Sequence, residues 1–112
     1  MITIWHNPRC SKSRQTLALI AHLDPVVRLY LADPPSADEV RAVQAKLGLP
    51  LIQMTRTGEK VFKEIGLTKS SAEPELLSAL VQHPVLIERP IVITQTKAAI
   101  GRPPETVLAL LD

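Results

Sequence analysis

The sequence has little cysteine, few aromatic residues and no long apolar run, and each shortage excludes a class of protein. One cysteine among 112 residues cannot form an internal disulfide, which favours a reducing, cytoplasmic compartment. Aromatic residues make up 3% of the chain, too few for a protein that stacks bases on aromatic side chains. No apolar run reaches the roughly 18–20 residues that cross a bilayer, so we expect no membrane association.

The charge and the two isolated histidines exclude further classes. A net charge of +2 is far below the clustered basic excess of a dedicated nucleic-acid binder. The N-terminal residues MITIWHNPRC lack the basic and then apolar segments of a signal peptide. His22 and His83 stand apart with no second cysteine nearby, so we predict no metal site and no bound cofactor.

The order of the predicted elements indicates a single α/β domain over residues 1–112. Strands are predicted at 2–5, 26–31 and 91–93, with 97–100 pairing as a hairpin, and helices over 13–22, 36–47, 59–65, 71–82 and after Pro103. Ser36 and Glu39 have the spacing of a capping box, and Gly48 stands where that helix would end. The order is thioredoxin-like: a mixed four-stranded sheet with a helical insertion between its βαβ and ββα halves.

The only cysteine, Cys10, lies in the predicted loop between the first strand and the first helix. The amides and dipole of a helix N-terminus, together with the nearby Arg9, Lys12 and Arg14, favour the thiolate, which is the nucleophile. A lone cysteine is often only a small apolar filler, but the polar setting Pro-Arg-Cys-Ser-Lys favours a reactive thiol. The same amides form an anion site, so Ser11 and Ser13 are candidate substrate-binding residues.

The segment Cys-Ser-Lys-Ser has no second cysteine to resolve a disulfide within the chain. The thiol would therefore need an external partner such as glutathione or a glutaredoxin. His6 precedes this loop and is a candidate catalytic residue. It could hydrogen-bond the thiol or steady the loop, or it could only cap the strand, and the sequence leaves these alternatives open.

Three arginines are candidate oxyanion ligands, although a single surface arginine is usually only a solvated charge. They are Arg56 in MTRTGEK, Arg89 before Pro90, and Arg102 before the last helix. Thioredoxin-like folds carry a cis proline at the start of this third strand, so we predict a cis Arg89–Pro90 bond that aims Arg89 at the sulfur. A forked guanidinium suits a tetrahedral oxyanion better than a lysine ammonium does.

With these residues located, the chain resembles the glutaredoxin-coupled arsenate reductase family along essentially its whole length. The segments that carry the resemblance are ITIWHNPRCSKSRQTL, VVRLYLADPPS, MTRTGEKVFKEIGL, HPVLIERPIVI and GRPPETVLALL. The resemblance implies that Cys10 is the nucleophile and that His6 tunes its thiol. It also implies that Arg56, Arg89 and Arg102 contact arsenate.

The resemblance further implies a reaction sequence with external reductants. Cys10 would attack arsenate, glutathione would add to arsenic, arsenic would be reduced, and glutaredoxin would remove the glutathione before arsenite leaves. The better-known reductases continue for some tens of residues past the last helix, whereas this chain ends at Asp112, so we expect slow turnover.

Two other functions remain open at this stage. One is a thiol oxidoreductase that acts on glutathione mixed disulfides with the same cysteine. The other is a non-enzymatic regulator, because the wider family contains proteins that bind RNA polymerase and commonly carry a CxxC motif. Ser13 in place of the second cysteine, and an arginine at 102, favour the reductase.

Overall fold

A computed structural model of the chain describes residues 1–111. Its strands and α-helices, in chain order, are β1 (Thr3–Trp5), α1 (Ser11–Ile20), β2 (Val26–Arg28), α2 (Ala37–Leu47), α3 (Lys60–Glu64), α4 (Glu73–Gln82), β3 (Ile91–Ile93) and β4 (Ala98–Ile100). Short 3-10 segments lie at Ala21–Leu23, Leu51–Met54, Pro84–Leu86 and Pro104–Leu111. Among residues 1–111, no helix is both long and apolar enough to span a bilayer.

The four strands form one mixed sheet in the order β2-β1-β3-β4. β1 pairs with β2 in parallel, as the two strands of a βαβ unit do, and with β3 in antiparallel fashion. β3 and β4 form the predicted hairpin. The predicted fold class is therefore confirmed: a thioredoxin-like sheet with a helical insertion between its two halves.

The chain divides into two compact units, of which the first contains the sheet. This unit comprises residues 1–33 and 89–112, with α1 packed against the Pro104–Leu111 segment. Its core contains the fully buried side chains of Ile4, Ile20, Val92 and Val107. These residues come from β1, α1, β3 and the last segment, so one apolar cluster holds together both ends of the chain.

The second unit, residues 34–88, is the predicted insertion. Its helix α2 begins with the predicted capping box, in which the Ser36 Oγ accepts from the Glu39 amide at 3.2 Å and the Glu39 carboxylate accepts from the Ser36 amide at 3.0 Å. The helix ends at Gly48, whose positive φ of 68° is the left-handed conformation that favours glycine. Helix α2 packs against α4. The division into two compact units does not test whether the chain is a single domain, which stays a prediction.

Several predicted boundaries were wrong, each for a local reason. α1 begins at Ser11 rather than at residue 13, because the Cys10 carbonyl already accepts from the Arg14 amide at 3.0 Å. β2 ends at Arg28 rather than at residue 31, because the Leu29 carbonyl accepts the amides of two later residues in a turn. The last helix is a 3-10 segment. α3 and α4 are each shorter than predicted.

Candidate active site

The cysteine follows a tight turn at the end of β1. The Cys10 amide donates to the Asn7 carbonyl at 3.0 Å, which closes a four-residue turn, and the Arg9 amide donates to the Asn7 Oδ1 at 3.0 Å. Asparagine in the first position and proline in the second are the residues that such a turn prefers. The Arg14 guanidinium donates to the Pro8 carbonyl at 2.9 Å, so the first turn of α1 also holds the loop.

Cys10 is the residue immediately before α1, and its backbone is extended there, with φ −98° and ψ 123°. This placement brings the sulfur to the amides of the first helical turn, and the amides of Ser13 and Lys12 hydrogen-bond it. The thiol is half-buried. Ser11 is the exposed first residue of the helix. The predicted anion site therefore has its amides in place.

Two arginines from the other end of the chain converge on the same sulfur. The Arg89 guanidinium hydrogen-bonds Cys10 and also interacts with Tyr30. The Arg102 Nη2 lies 3.8 Å from the Cys10 Sγ, and its Nε donates to the Arg89 carbonyl at 2.9 Å. The Arg89–Pro90 peptide is cis, as predicted. Arg102 is thus held by the backbone of Arg89, and both guanidinium groups are placed at the thiol.

The groups around the Cys10 sulfur favour its thiolate form. Burial raises the pKa of Cys10, but the Ser13 amide, the Arg89 guanidinium and the Lys12 amide together outweigh burial and bring the pKa below its ordinary value. The direction agrees with the sequence prediction. The charge that acts on the sulfur is that of Arg89, which Pro90 was predicted to aim there, rather than that of the neighbouring Arg9 or Arg14.

His6 contacts the loop rather than solvent. Its Nδ1 lies 2.6 Å from the Oγ of the fully buried Ser13, and the Asn7 amide donates to that same Oγ at 3.0 Å. Burial and the nearby Arg14 charge lower the pKa of His6, so the imidazole is neutral near pH 7. The contact supports the alternative in which His6 steadies the loop. The Ser13 hydroxyl is committed to this pair, and only its amide faces the sulfur.

Gly101 allows the backbone just after β4 to approach α1 closely. A Cβ at this position would lie 2.5 Å from the Thr16 Oγ1 and 2.9 Å from the Pro90 Cγ. The Gly101 amide donates to the Pro90 carbonyl at 2.9 Å. Since Arg102 is the next residue, the missing side chain at Gly101 lets Arg102 reach Arg89 and the thiol.

Arg56 belongs to the second unit and is held by acidic side chains there. Its Nε lies 3.1 Å from a Glu59 carboxylate oxygen and its Nη1 lies 3.5 Å from a Glu88 carboxylate oxygen. Its amide donates to the Leu86 carbonyl at 2.7 Å. The role of Arg56 as an arsenate ligand stays a prediction.

Sequence reasoning located the thiol and its two arginines but missed the residues that support them. The Asn-Pro dipeptide after β1 is a turn signal that would have drawn attention to Asn7. Tyr30 and Gly101 carry no local signal, because their importance depends on which distant segment packs beside them. Within residues 1–111, no group of three or more His, Cys, Asp or Glu side chains is placed to hold a metal ion.

Comparisons with known proteins agree with this geometry over nearly the whole chain. A family model described as the ArsC family matches residues 5–110. An arsenate reductase from Haemophilus influenzae is 46% identical over 98% of each chain. An arsenate reductase from Escherichia coli is 40% identical, over 98% of this chain and 80% of its own length. The structure of an arsenate reductase from Vibrio cholerae superposes with a TM-score of 0.91 at 43% identity, covering 96% of this chain and 95% of its own.

Proposed function

The chain belongs to the ArsC family, and we propose that it is an arsenate reductase that uses Cys10 as its nucleophile and takes electrons from glutathione and glutaredoxin. The observation that carries the proposal is the convergence of Arg89 and Arg102 on the only cysteine of the chain. A thiolate beside two guanidinium groups can both attract a tetrahedral oxyanion and attack it. We propose arsenate as this oxyanion because several relatives of the chain are arsenate reductases.

In the first step, the Cys10 thiolate attacks arsenic. A sulfur–arsenic bond forms, and one arsenate oxygen takes up protons and leaves as water. Arg89 and Arg102 hold the remaining oxygens, and the amides at the start of α1 donate to them. The positive charge of both arginines offsets the negative charge that the thiolate and the arsenate bring together.

In the second step, the glutathione thiol adds to arsenic and a second oxygen leaves as water. A glutaredoxin thiolate then attacks the glutathione sulfur, and a disulfide forms between glutathione and glutaredoxin. The electron pair of the broken sulfur–arsenic bond stays on arsenic, which passes from As(V) to As(III). Water then releases arsenite and restores the Cys10 thiol.

The chain supplies one thiol to these reaction steps, which use two more, one from glutathione and one from glutaredoxin. With Ser13 at the position of a resolving cysteine, an internal disulfide has no second sulfur. This is the reason for proposing glutathione and glutaredoxin together as reductants, and thioredoxin alone should support little turnover. A reducing, cytoplasmic compartment is part of the same proposal, since it is where these thiols are kept reduced.

The test is arsenate-dependent NADPH oxidation with glutathione, glutaredoxin and glutathione reductase. We expect a rate with the complete mixture that disappears when glutathione or glutaredoxin is omitted, and that is absent with Cys10→Ser. A folded protein with no rate above the Cys10→Ser control would refute the reductase proposal. A rate on a glutathione mixed disulfide without any arsenate rate would instead assign the site to thiol exchange. The absence of both rates would favour a non-enzymatic regulator.

A further inference from the structure

A cavity of about 360 Å³ lies beside the cysteine turn. Residues 6–9 form one wall, and Leu29, Leu31 and Ala32 form the other. The first wall ends at Arg9, whose Cα is about 3.8 Å from that of Cys10 because the two residues are consecutive. The volume falls in the range of about 300–1,000 Å³ that small-molecule sites occupy.

Neither Arg89 nor Arg102 lines the cavity. Cys10 follows β1, which lies between β2 and β3 in the sheet. The cavity wall at Leu29 and Leu31 follows β2. Arg89 precedes β3, and Arg102 follows β4 beyond it. An oxyanion held by the two arginines would therefore leave the cavity open to a second reactant.

The two walls differ in chemistry. Leu29 and Leu31 are 46% and 44% exposed, whereas Tyr30 between them is fully buried and interacts with Arg89. These leucines give the cavity an apolar face that is open to solvent. The opposite wall contains the exposed cation of Arg9. Residues 6–23 contain three arginine or lysine residues and no acidic one. Asp33, which follows the second wall, is paired with the Arg28 guanidinium at 3.3 Å, so Arg9 gives the cavity a positive charge that attracts anions.

We propose that this cavity binds glutathione and presents the glutathione thiol to the arsenic on Cys10, a proposal that rests on the proposed function. Glutathione is a short peptide with two carboxylates and one ammonium, so its net charge is negative and complements Arg9. An extended tripeptide is about 10 Å long, which suits a cavity of this size. Its apolar stem would lie on Leu29 and Leu31, and its thiol would approach Cys10 from the end of the cavity formed by Arg9.

The binding test uses S-methylglutathione, whose blocked thiol cannot react, with the full-length protein followed by amide NMR. We expect saturable shifts at residues 7, 9 and 29–32. Arg9→Gln and Leu31→Gln should each weaken binding by about three- to tenfold, the loss of one charge-assisted or apolar contact on an open surface. Lys69→Gln, which removes an exposed charge in the second unit, is the matched control and should leave the affinity unchanged.

The kinetic test separates this proposal from the proposed function. Arg9→Gln should raise the KM for glutathione and leave the KM for arsenate unchanged. Shifts confined to residues 89–102, or equal affinities in all variants, would overturn the assignment even if arsenate is reduced. A raised KM for glutaredoxin with an unchanged KM for glutathione would overturn it in favour of a protein-docking surface. Binding of S-methylglutathione here without any arsenate turnover would support the cavity and refute the reductase.

Discussion

Replacing Gly101 by alanine should disturb the active site although this residue touches no substrate. The new Cβ would lie 2.5 Å from the Thr16 Oγ1, 2.9 Å from the Pro90 Cγ and 3.2 Å from the Thr16 Cγ2. Thr16 cannot turn away at little cost, because its hydroxyl donates to the Lys12 carbonyl at 2.8 Å and its side chain is β-branched and fully buried. The backbone at residue 101 must therefore move away from α1.

The expected size follows from overpacking of a closely packed site. Forcing one extra carbon into such a place costs about 1–3 kcal/mol of the free energy of unfolding. The same movement displaces Arg102, which is the next residue and lies 3.8 Å from the Cys10 sulfur. Since cations at this sulfur favour the thiolate, Gly101→Ala should raise the pKa of Cys10 toward its ordinary value and slow its reactions near neutral pH.

Two measurements test this prediction: urea unfolding, and the rate of Cys10 alkylation against pH. Gly58→Ala is the matched control, because nothing lies within 4 Å of a Cβ at that position, and it should change neither quantity. Thr16→Ala combined with Gly101→Ala should recover part of the lost stability, as coupled neighbours do. An unchanged alkylation midpoint in Gly101→Ala would refute the positioning role, even if the protein were destabilised.

Three further predictions concern other parts of the structure. Arg89→Ala should raise the alkylation midpoint of Cys10 and abolish its protection by arsenate, and unchanged protection would show that Arg89 holds no oxyanion. Ser13→Ala should leave buried groups of His6 and Asn7 unpaired, with a loss of about 1–3 kcal/mol in urea unfolding, and a neutral result would contradict the loop-steadying role. Glu73 has a pKa below its ordinary value because it accepts from a backbone amide and two side chains, so its stabilising effect is present at neutral pH and lost as the pH falls through the lowered pKa. In Glu73→Gln the free energy of unfolding should therefore fall less steeply as the pH is lowered. An unchanged pH profile would show that Glu73 contributes nothing to this loss of stability.

The fold could be predicted from the sequence because its signals are local. The βαβ and ββα order, the Ser36–Glu39 capping box and the Gly48 helix end each depend on residues a few positions apart. The boundaries that were wrong depend on turns just outside the predicted elements. The early end of β2, for example, follows from a turn in which the Leu29 carbonyl accepts two amides, and no pattern in the strand itself announces it.

The site was predictable only in part, because some of its contacts join residues that lie far apart in the chain. Cys10 could be recognised from its own neighbours, and Arg89 from the proline beside it. The sequence assigned the charge near the thiol to the neighbouring Arg9, Lys12 and Arg14, and also to Arg89 because of the proline that follows it. The structure places Arg89 and Arg102 there. No local signal predicts that the Arg102 Nε donates to the Arg89 carbonyl, which holds Arg102 at the thiol.

The thiol therefore depends on both ends of the first unit. The backbone amides come from residues 12 and 13, whereas the guanidinium groups come from Arg89 and Arg102 beside the β3–β4 hairpin. Ile4 and Ile20 pack on Val92 and Val107 in one core, so the amides and the guanidinium groups are brought together only when that core forms. An isolated N-terminal fragment would keep its cysteine and lose both guanidinium groups that lie beside it. The reactivity of Cys10 should then follow the folded fraction of the protein during unfolding, and it should not survive as a property of the HNPRCSKS segment alone.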